Sequence, residues 1–481
     1  MTTDAESESA IPRYRDPLCL IPVAAGLWWL LAGHGLWWLL CALVPGCLMI
    51  AGGVSLFLWP GEVKQTHYLA LGGFLGVPLG LLAALGGNAG DALLAAAVSA
   101  AIFVFAGRAA LRAAPQVAGA PVPPQELRVY AKSAVDEALL GFFVGVARFP
   151  GGELAERLCR EAEALEQALH TNGWLDDPAA FHLAPAAPAQ VTTIARRTAG
   201  VDYQQLRFAS EFAPRGGLPG GERWGAHARN RDCSAWLHRH DAPGRPWLLC
   251  IHGYRMGYPW IDFRLFEPAL LHQKYGLNLL MPLLPLHGPR RAGRMSGDLY
   301  LDGDLLDLLH AQTQALWDLR RHVAWIRAQE PQARIGVLGY SLGGYNASLL
   351  AAHEDGLEFV VAGIPVSDFV PLLWQHVPPP LRAFFAARGL DSGRYRNLLK
   401  VVSPLALPPK PAPERLHIFA GSADRVVPPD QPVNLMRHWQ REAVWYPGGH
   451  LTFRGEPAVE RCIEDAMVGA GWPLAGMRSE G

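Results

Sequence analysis

The chain has 481 residues, more than a typical single domain, which predicts two or three structural units. Its 42 Lys and Arg residues nearly balance 43 Asp and Glu residues, and it contains neither a basic stripe nor a zinc-finger spacing, so nucleic acid is not expected as a partner. The seven cysteines are scattered and form no disulfide framework, which is compatible with a reducing compartment.

The N-terminal part is strongly apolar. Residues 1–16 are polar and expected to be disordered, whereas no Asp, Glu, Lys or Arg occurs from Pro17 to Gly61. About 45 residues of helix would measure roughly 65 Å against a hydrocarbon core of about 30 Å, so this run must turn back. The expected turn is Gly33-His34-Gly35, which tryptophan pairs bracket as an interfacial aromatic belt would. Pro45-Gly46 is the competing turn.

Two further apolar runs, His67–Leu85 and Ala92–Ala106, predict a second helical hairpin, although a buried helical core stays open for this pair. Residues 17–112 are therefore predicted to be a membrane region with about four transmembrane helices. A cleaved signal peptide is disfavoured because further apolar segments follow the first. The positive-inside rule predicts a cytoplasmic catalytic domain, with either two or four crossings, from the flanking basic residues Arg13, Arg15, Lys64, Arg108 and Arg112.

Residues 113–200 are predicted to form a linker and accessory helices. The segment Ala113–Pro124 is rich in Pro and Ala, and Asp176–Ala199 is expected to be a connection. Packing of the two helices on the catalytic domain is favoured over lying on a bilayer surface. Their predicted apolar stripes consist of Leu127, Ala131, Val135, Leu139 and Phe142 in the first, and of Leu154, Leu158, Ala162, Leu165 and Leu169 in the second.

From Val201 onward, strand-like and helix-like runs alternate. This alternation predicts an α/β fold with a mostly parallel sheet flanked by helices. The principal helix is expected over Asp304–Ala328. The predicted strands are Gln204–Phe212, Ala235–Arg239, Trp247–Ile251, Leu277–Leu284, Ile335–Gly339, Phe359–Ile364, Leu416–Ala420 and Ala443–Tyr446.

A serine lies between two glycines where a predicted strand leads into a predicted helix, in Gly339-Tyr340-Ser341-Leu342-Gly343. This arrangement is typical of a nucleophile elbow, in which a sharp turn exposes the serine hydroxyl. It also places the backbone N–H of Leu342 at a helix N-terminus, where it can stabilise an oxyanion. Taken alone, the pentapeptide is equally compatible with an ordinary tight turn.

A nucleophilic serine needs a histidine as base and a carboxylate that orients the histidine. Asp424 follows the strand Leu416–Ala420 and His450 follows the last predicted strand, so both are expected at the carboxyl edge of the sheet with Ser341. We therefore predict Ser341 as nucleophile, His450 as general base and acid, and Asp424 as its orienting acid. Asp368 is the rival acid, and a turn-forming aspartate and a capping histidine are the alternatives for the pair.

The second oxyanion donor is expected after an earlier strand, in Leu249-Cys250-Ile251-His252-Gly253-Tyr254. The backbone N–H of Tyr254 is the predicted donor, because Gly253 allows the turn that would aim it. His252 is predicted to be a hydrogen-bonded structural histidine, since no metal-ligand spacing accompanies it. Neither a cofactor nor a metal is expected.

Four motifs resemble those of the α/β-hydrolase superfamily, loosely its esterase, lipase and dienelactone-hydrolase-like members, over residues 201–481. The resemblance implies acyl-bond hydrolysis without a cofactor and a lid after the sixth strand, for which residues 369–408 are the candidate. The membrane region lies outside the resemblance. The matching segments are Ile251-His252-Gly253-Tyr254, residues 339–344, residues 421–428 and Gly448-Gly449-His450.

The sequence thus predicts a membrane-anchored serine hydrolase that cleaves carboxylic esters, with an acyl substrate and the lipid bilayer as partners. A peptidase, a thioesterase, an acyltransferase and a non-catalytic interaction module on the same fold stay open. Four arginines on loops after strands are expected near the mouth of the site, where they would bind an anionic acyl substrate unless they are solvated surface charges. They are Arg255, Arg290, Arg291 and Arg294.

Overall fold

The computed structural model describes residues 17–59, 64–147 and 149–472, which group into two compact units. The first unit consists of the N-terminal helices together with two later segments, Gly421–Asp430 and Trp445–Glu456. The second unit holds the rest of the described chain. Asp424 and His450 therefore belong to the first unit and Ser341 to the second. The domain boundaries drawn along the sequence stay a prediction.

The described residues of the first unit form five α-helices. The chain turns between the first two of them at the predicted position, with His34 directly before the second helix. Pro45 lies inside that helix, so the competing turn at Pro45-Gly46 is wrong. The helices are α1 (Leu20–Leu31), α2 (Gly35–Leu58), α3 (Lys64–Ala83), α4 (Ala89–Ala113) and α5 (Leu127–Val146).

Three segments of the described chain are long and apolar enough to cross a membrane: Gly35–Leu58, Gln65–Gly86 and Ala89–Ala113. Pro17–Leu31 is apolar but shorter. At 1.5 Å per residue it would cover only about 22 Å of a core of about 30 Å. The membrane character thus rests on three helices, while the four crossings and the cytoplasmic side stay predictions.

The tryptophan pairs that bracket the first turn do not act together as an aromatic belt. Trp29 and Trp38 are buried in the helix bundle, where the Trp29 indole donates to Ser99 Oγ at 2.9 Å and the Trp38 indole to the Trp29 carbonyl at 2.8 Å. Only Trp28 and Trp37 are exposed. One ring of each pair therefore packs the helices together, because its N–H finds a partner there.

The buried face of α5 is not the predicted apolar stripe. Leu127 and Phe142 are 74% and 44% exposed, whereas Asp136 and Glu137 are fully buried. Burying two carboxylates is favourable only where each has hydrogen-bonding partners. The predicted stripe is therefore wrong for this helix, and its buried face is polar at the centre.

The second unit is built on the sheet, and all eight predicted strands are present. Strands β5, β4, β6, β7 and β8 run parallel, and β1, β2 and β3 join β5 by antiparallel pairing. The nine-stranded order is β1-β2-β3-β5-β4-β6-β7-β8-β9. The strands are β1 (Thr192–Thr198), β2 (Val201–Ala209), β3 (Asp232–His238), β4 (Trp247–Ile251), β5 (Asn278–Pro282), β6 (Ile335–Tyr340), β7 (Leu357–Gly363), β8 (Leu416–Gly421) and β9 (Ala443–Tyr446).

Strand β1 lies in Asp176–Ala199, which was predicted to be a connection, and this prediction is wrong there. β1 pairs with β2 along its whole length, but almost all of its side chains are exposed. A strand with neither face buried has no apolar alternation, so its sequence lacks the usual strand signal.

Helices flank the sheet and complete an α/β-hydrolase fold, as the sequence predicts. Helix α6 buries Leu158, Ala162, Leu165 and Leu169, and α9 occupies the predicted principal helix. The lid role of residues 369–408, which hold α11 to α13, stays a prediction. The helices are α6 (Glu153–Thr171), α7 (Gly221–Gly225), α8 (Pro259–Phe266), α9 (Asp307–Gln329), α10 (Leu342–His353), α11 (Phe369–Trp374), α12 (Pro379–Ala386), α13 (Ser392–Leu398), α14 (Asp430–Trp439) and α15 (Pro457–Gly469).

Candidate active site

Ser341 occupies a one-residue turn between the end of β6 and the start of α10. Its backbone has φ 58° and ψ -116°, a conformation that a residue with a Cβ rarely adopts and that costs about 1–3 kcal/mol. The Ser341 N–H donates to the Gly363 carbonyl at 2.9 Å, and the Ser341 carbonyl accepts from the Tyr345 N–H at 3.0 Å. The sheet and the helix thus hold the serine in the strained geometry of an elbow.

The glycines beside Ser341 allow backbone contacts that no side chain permits. A Cβ on Gly339 would lie 2.1 Å from the Gly343 carbonyl oxygen. A Cβ on Gly343 would lie 1.9 Å from the carbonyl oxygen of Ile251, the last residue of β4. The turn is therefore packed against the end of the neighbouring strand.

The segments of both predicted oxyanion donors meet Ser341 within the second unit. Leu342 is the first residue of α10, so its N–H has no acceptor within the helix and lies at the positive end of the helix dipole. A Cβ on Gly253 would lie 3.7 Å from Ser341 Cβ, in ordinary contact. Tyr254 is the next residue along that loop.

His252 is a structural histidine, which confirms the prediction. Its Nδ1–H donates to the Gly253 carbonyl at 2.8 Å, and its Nε2 accepts from the Leu284 N–H at 3.1 Å. Burial lowers the pKa of His252 to about 4, so the ring is neutral. In the part of the chain that the structure describes, no three His, Cys, Asp or Glu residues cluster as metal ligands would.

In the first unit, Asp424 and His450 form a buried pair. The Nδ1–H of His450 donates to Asp424 Oδ2 at 2.7 Å. A neutral ring that donates from Nδ1 carries its lone pair on Nε2, as a general base requires. Burial lowers the pKa of His450, but the charge and hydrogen bond of Asp424 and the charge of Asp136 more than offset this and raise the pKa above its ordinary value.

Asp424 also forms its own turn. Its Oδ1 accepts from the Val426 N–H at 2.9 Å and from the Val427 N–H at 2.8 Å. One oxygen therefore shapes the loop while the other binds His450, so the turn-forming alternative and the orienting role hold together.

The rival acid, Asp368, has other partners. Its Oδ1 accepts from the Val370 N–H at 2.8 Å at the start of α11, and its Oδ2 accepts from Arg396 Nε at 2.6 Å. The carboxylate bound to His450 is thus that of Asp424.

Sequence analysis missed Asp136, a residue of α5 that contacts both the Asp424 and His450 loops. Its Oδ2 accepts from the His450 N–H at 2.6 Å and from the Arg425 N–H at 3.1 Å, and its Oδ1 accepts from the Leu451 N–H at 3.3 Å. Burial and the nearby charge of Asp424 raise the pKa of Asp136 to about 7.

Glu137, the next residue on α5, was missed as well. Its Oε1 accepts from Arg425 Nε at 2.9 Å, and its Oε2 contacts Thr66 Oγ1 at 2.7 Å and His67 Nδ1 at 2.6 Å. Burial raises the pKa of Glu137, but the hydrogen bond with His67 and the Arg425 charge outweigh burial and lower the pKa to about 2. The available signal was an adjacent acidic pair at the centre of a mostly apolar helix, which a prediction based on the apolar stripe does not include.

The structure corrects the expectation that Arg290 and Arg255 have guanidinium groups free to bind substrate. Arg290 is 2% exposed and donates to Asp318 Oδ2 at 2.7 Å. Arg255 is paired with Asp298 and Asp302. A buried guanidinium is stable only beside a carboxylate, which accounts for these pairs.

The other two arginines of that set differ from this pair. Arg294 is exposed and Arg291 is half-buried. Their role in binding an acyl substrate stays a prediction.

Two curated relatives align with about two thirds of the chain, and no protein-family model matches the chain. The uncharacterized protein MT2702 of Mycobacterium tuberculosis (strain CDC 1551 / Oshkosh) is 39% identical over 324 residues, covering 66% of this chain and 76% of that protein. The uncharacterized protein Rv2627c of strain H37Rv is 38% identical over the same length and coverage. This chain belongs to the Rv2627c family.

Solved structures similar to this member of the Rv2627c family are more distant. An acetyl xylan esterase from Paenibacillus sp. R4 has a TM-score of 0.43 and 15% identity, covering 63% of this chain and 93% of its own. Acetyl xylan esterase 1 from Thermoanaerobacterium sp. has a TM-score of 0.40 and 16% identity, with 67% and 95% covered. The Pyrococcus horikoshii acylaminoacyl peptidase has a TM-score of 0.35 and 16% identity, with 52% and 41% covered.

Proposed function

We propose that this protein is a membrane-anchored serine hydrolase that cleaves carboxylic esters through an acyl-enzyme. The observation that carries the proposal is the backbone of Ser341, held at φ 58° between two glycines, Gly339 and Gly343, at which an added Cβ would clash with backbone carbonyl oxygens. Such strain persists where the surrounding structure enforces it, and it clusters at active sites. Ester cleavage also needs a base and an oxyanion donor. The unprotonated Nε2 of neutral His450 would serve as the base, and the backbone N–H of Leu342 as the donor.

In the proposed reaction, His450 takes the proton of Ser341 as the hydroxyl oxygen attacks the acyl carbonyl. The N–H groups of Leu342 and Tyr254 stabilise the oxyanion, and Asp424 stabilises the charged imidazole. The imidazole then protonates the departing alcohol, and a water molecule activated by the same ring hydrolyses the acyl-enzyme.

Membrane anchoring is proposed from the three long apolar helices of the first unit. The basic residues that flank them favour a cytoplasmic catalytic part. An enzyme held at the bilayer would meet esters with acyl chains at the membrane surface, and such esters are the proposed substrate class.

The test is hydrolysis of p-nitrophenyl esters, from acetyl to dodecanoyl, by the full chain in detergent. Ser341→Ala is expected to lower kcat by about 10⁴-fold or more, as loss of a nucleophile does in other serine hydrolases. Thr193→Ala, which removes an exposed hydroxyl from β1, is the control and should retain wild-type rates. Thioester and peptide substrates assayed in parallel decide the leaving group, and a folded wild type that cleaves no ester would contradict the proposal.

A further inference from the structure

Three polar side chains of α5 bind the loops that carry Asp424 and His450. Lys132 and Asp136 are four positions apart, so they share a helix face, and Glu137 is the next residue. Lys132 Nζ donates to the Pro447 carbonyl at 3.3 Å and pairs with Glu456. All of these contacts lie within the first unit.

Asp136 joins the two loops through one carboxylate. The oxygen that accepts from the N–H of His450 also accepts from the N–H of Arg425, the residue directly after Asp424. The separation of the acid and the base along their loops is therefore fixed by a group that belongs to neither loop.

The glycine before His450 is shaped for this contact. A Cβ on Gly449 would lie 2.5 Å from Asp136 Oδ2 and 2.8 Å from the Lys132 carbonyl oxygen. The second glycine of the Gly-Gly-His motif thus allows α5 to contact the backbone of the histidine loop. The proposed reaction itself does not explain why this position needs a glycine.

The neighbouring carboxylate supports the same arrangement. Glu137 is fully buried and binds the Arg425 side chain on one oxygen and the first turn of α3 on the other. Through Arg425, the turn after Asp424 is connected to a helix that is long and apolar enough to span a membrane.

We propose that Asp136 is a positioning residue of the hydrolase, which holds His450 and the turn after Asp424 in register through α5, with Glu137 fixing Arg425. The N-terminal helices are then part of the catalytic apparatus as well as an anchor. This inference rests on the proposed function, because it assigns a task to Asp136 in the same reaction.

The test is Asp136→Asn in the full chain. An amide keeps the size of the carboxylate, but it turns one acceptor into a donor that faces backbone N–H groups. We expect kcat for ester hydrolysis to fall at least about tenfold with little change in KM. Small misplacements of reacting groups slow the chemical step by factors of this size or more. The acid limb of kcat/KM should also move to lower pH, because one of the charges that raise the pKa of His450 is lost while that of Asp424 remains.

The matched control is Glu126→Gln, which removes a negative charge from the exposed residue just before α5. Its kcat and pH profile should equal those of the wild type. Wild-type kcat and an unmoved acid limb in Asp136→Asn would overturn the inference.

A second variant decides the case in which Asp136→Asn does not fold. Glu137→Gln leaves Asp136 in place and weakens the hold on Arg425, so kcat should fall by a smaller factor, while wild-type kcat would overturn the inference. Labelling of the wild type by a fluorophosphonate separates the two proposals. An unlabelled, inactive wild type defeats the proposed function, whereas a labelled wild type matched by Asp136→Asn defeats only the positioning role.

Discussion

The proposed nucleophile and the proposed acid–base pair are held in place by different means. Ser341 is held by neighbouring strands and its own helix, through close backbone contacts at Gly339 and Gly343. His450 is held by a carboxylate that lies 314 positions earlier in the chain. A turn that depends on local glycines leaves a recognisable motif, whereas a loop positioned by a distant helix leaves almost none.

The largest effect is expected when the Asp424–His450 pair is disrupted. Asp424→Asn should lower kcat/KM for ester hydrolysis by about 10⁴-fold, because an amide stabilises the wrong tautomer of His450. Asp241→Asn, in an exposed loop, is the control. If Asp424→Asn kept more than a tenth of the wild-type value, the pair would have no catalytic role.

A buried charge with a purely structural role should behave differently from Asp136. Arg290→Gln leaves the buried Asp318 without its ion pair, which should cost about 3–5 kcal/mol in the free energy of unfolding. The folded fraction should keep the wild-type preference between anionic and neutral esters. Denaturation and a two-substrate assay measure both quantities, with Arg461→Gln, exposed on α15, as control. A changed preference would return Arg290 to the substrate site.

The glycine beside Ser341 and the glycine beside His450 should respond differently to an added methyl group. Gly343→Ala meets a backbone carbonyl at 1.9 Å, so we expect a loss of about 1–3 kcal/mol or more in unfolding free energy. Gly449→Ala meets the Asp136 side chain at 2.5 Å, which can shift, so its main effect should be on kcat. Equal losses of stability in the two variants would remove the distinction.

The smallest expected effect is on the pH profile of the wild type. His450 acts as a base only when neutral, and its pKa is raised above the ordinary 6.5 by Asp424 and Asp136. Activity should therefore rise with pH through a limb that lies above 6.5. kcat/KM for a neutral ester, measured from acid to alkaline pH, gives this limb. A limb below the ordinary value would show that burial dominates instead.

The sequence predicted what local patterns determine. The buried strand β4 is a continuous run of strand-forming residues, and the predicted bounds of β4 and of the partly exposed β9 agree with the structure. The elbow at Ser341 and the turn at Asp424 need glycine or aspartate at fixed positions, so both turns can also be predicted from the sequence. β1 was missed because neither of its faces is buried.

The remaining features depend on pairs that are distant in the chain. Arg290 was placed near the site mouth because nothing near it in sequence identifies Asp318 as its partner. Asp136 and Glu137 were passed over because a buried carboxylate is exceptional, and its partners in the Asp424 and His450 loops lie far along the chain. Their adjacency within a mostly apolar helix was the one local sign.

The most direct measurement is fluorophosphonate labelling of the full chain, followed by mass spectrometry of its peptides. The proposed function predicts a single modified residue, Ser341, with labelling abolished in Ser341→Ala and slowed strongly in His450→Ala. A folded protein that takes no label, or takes it at another serine with Ser341→Ala unaffected, would contradict the assignment of a serine hydrolase with its nucleophile at the elbow.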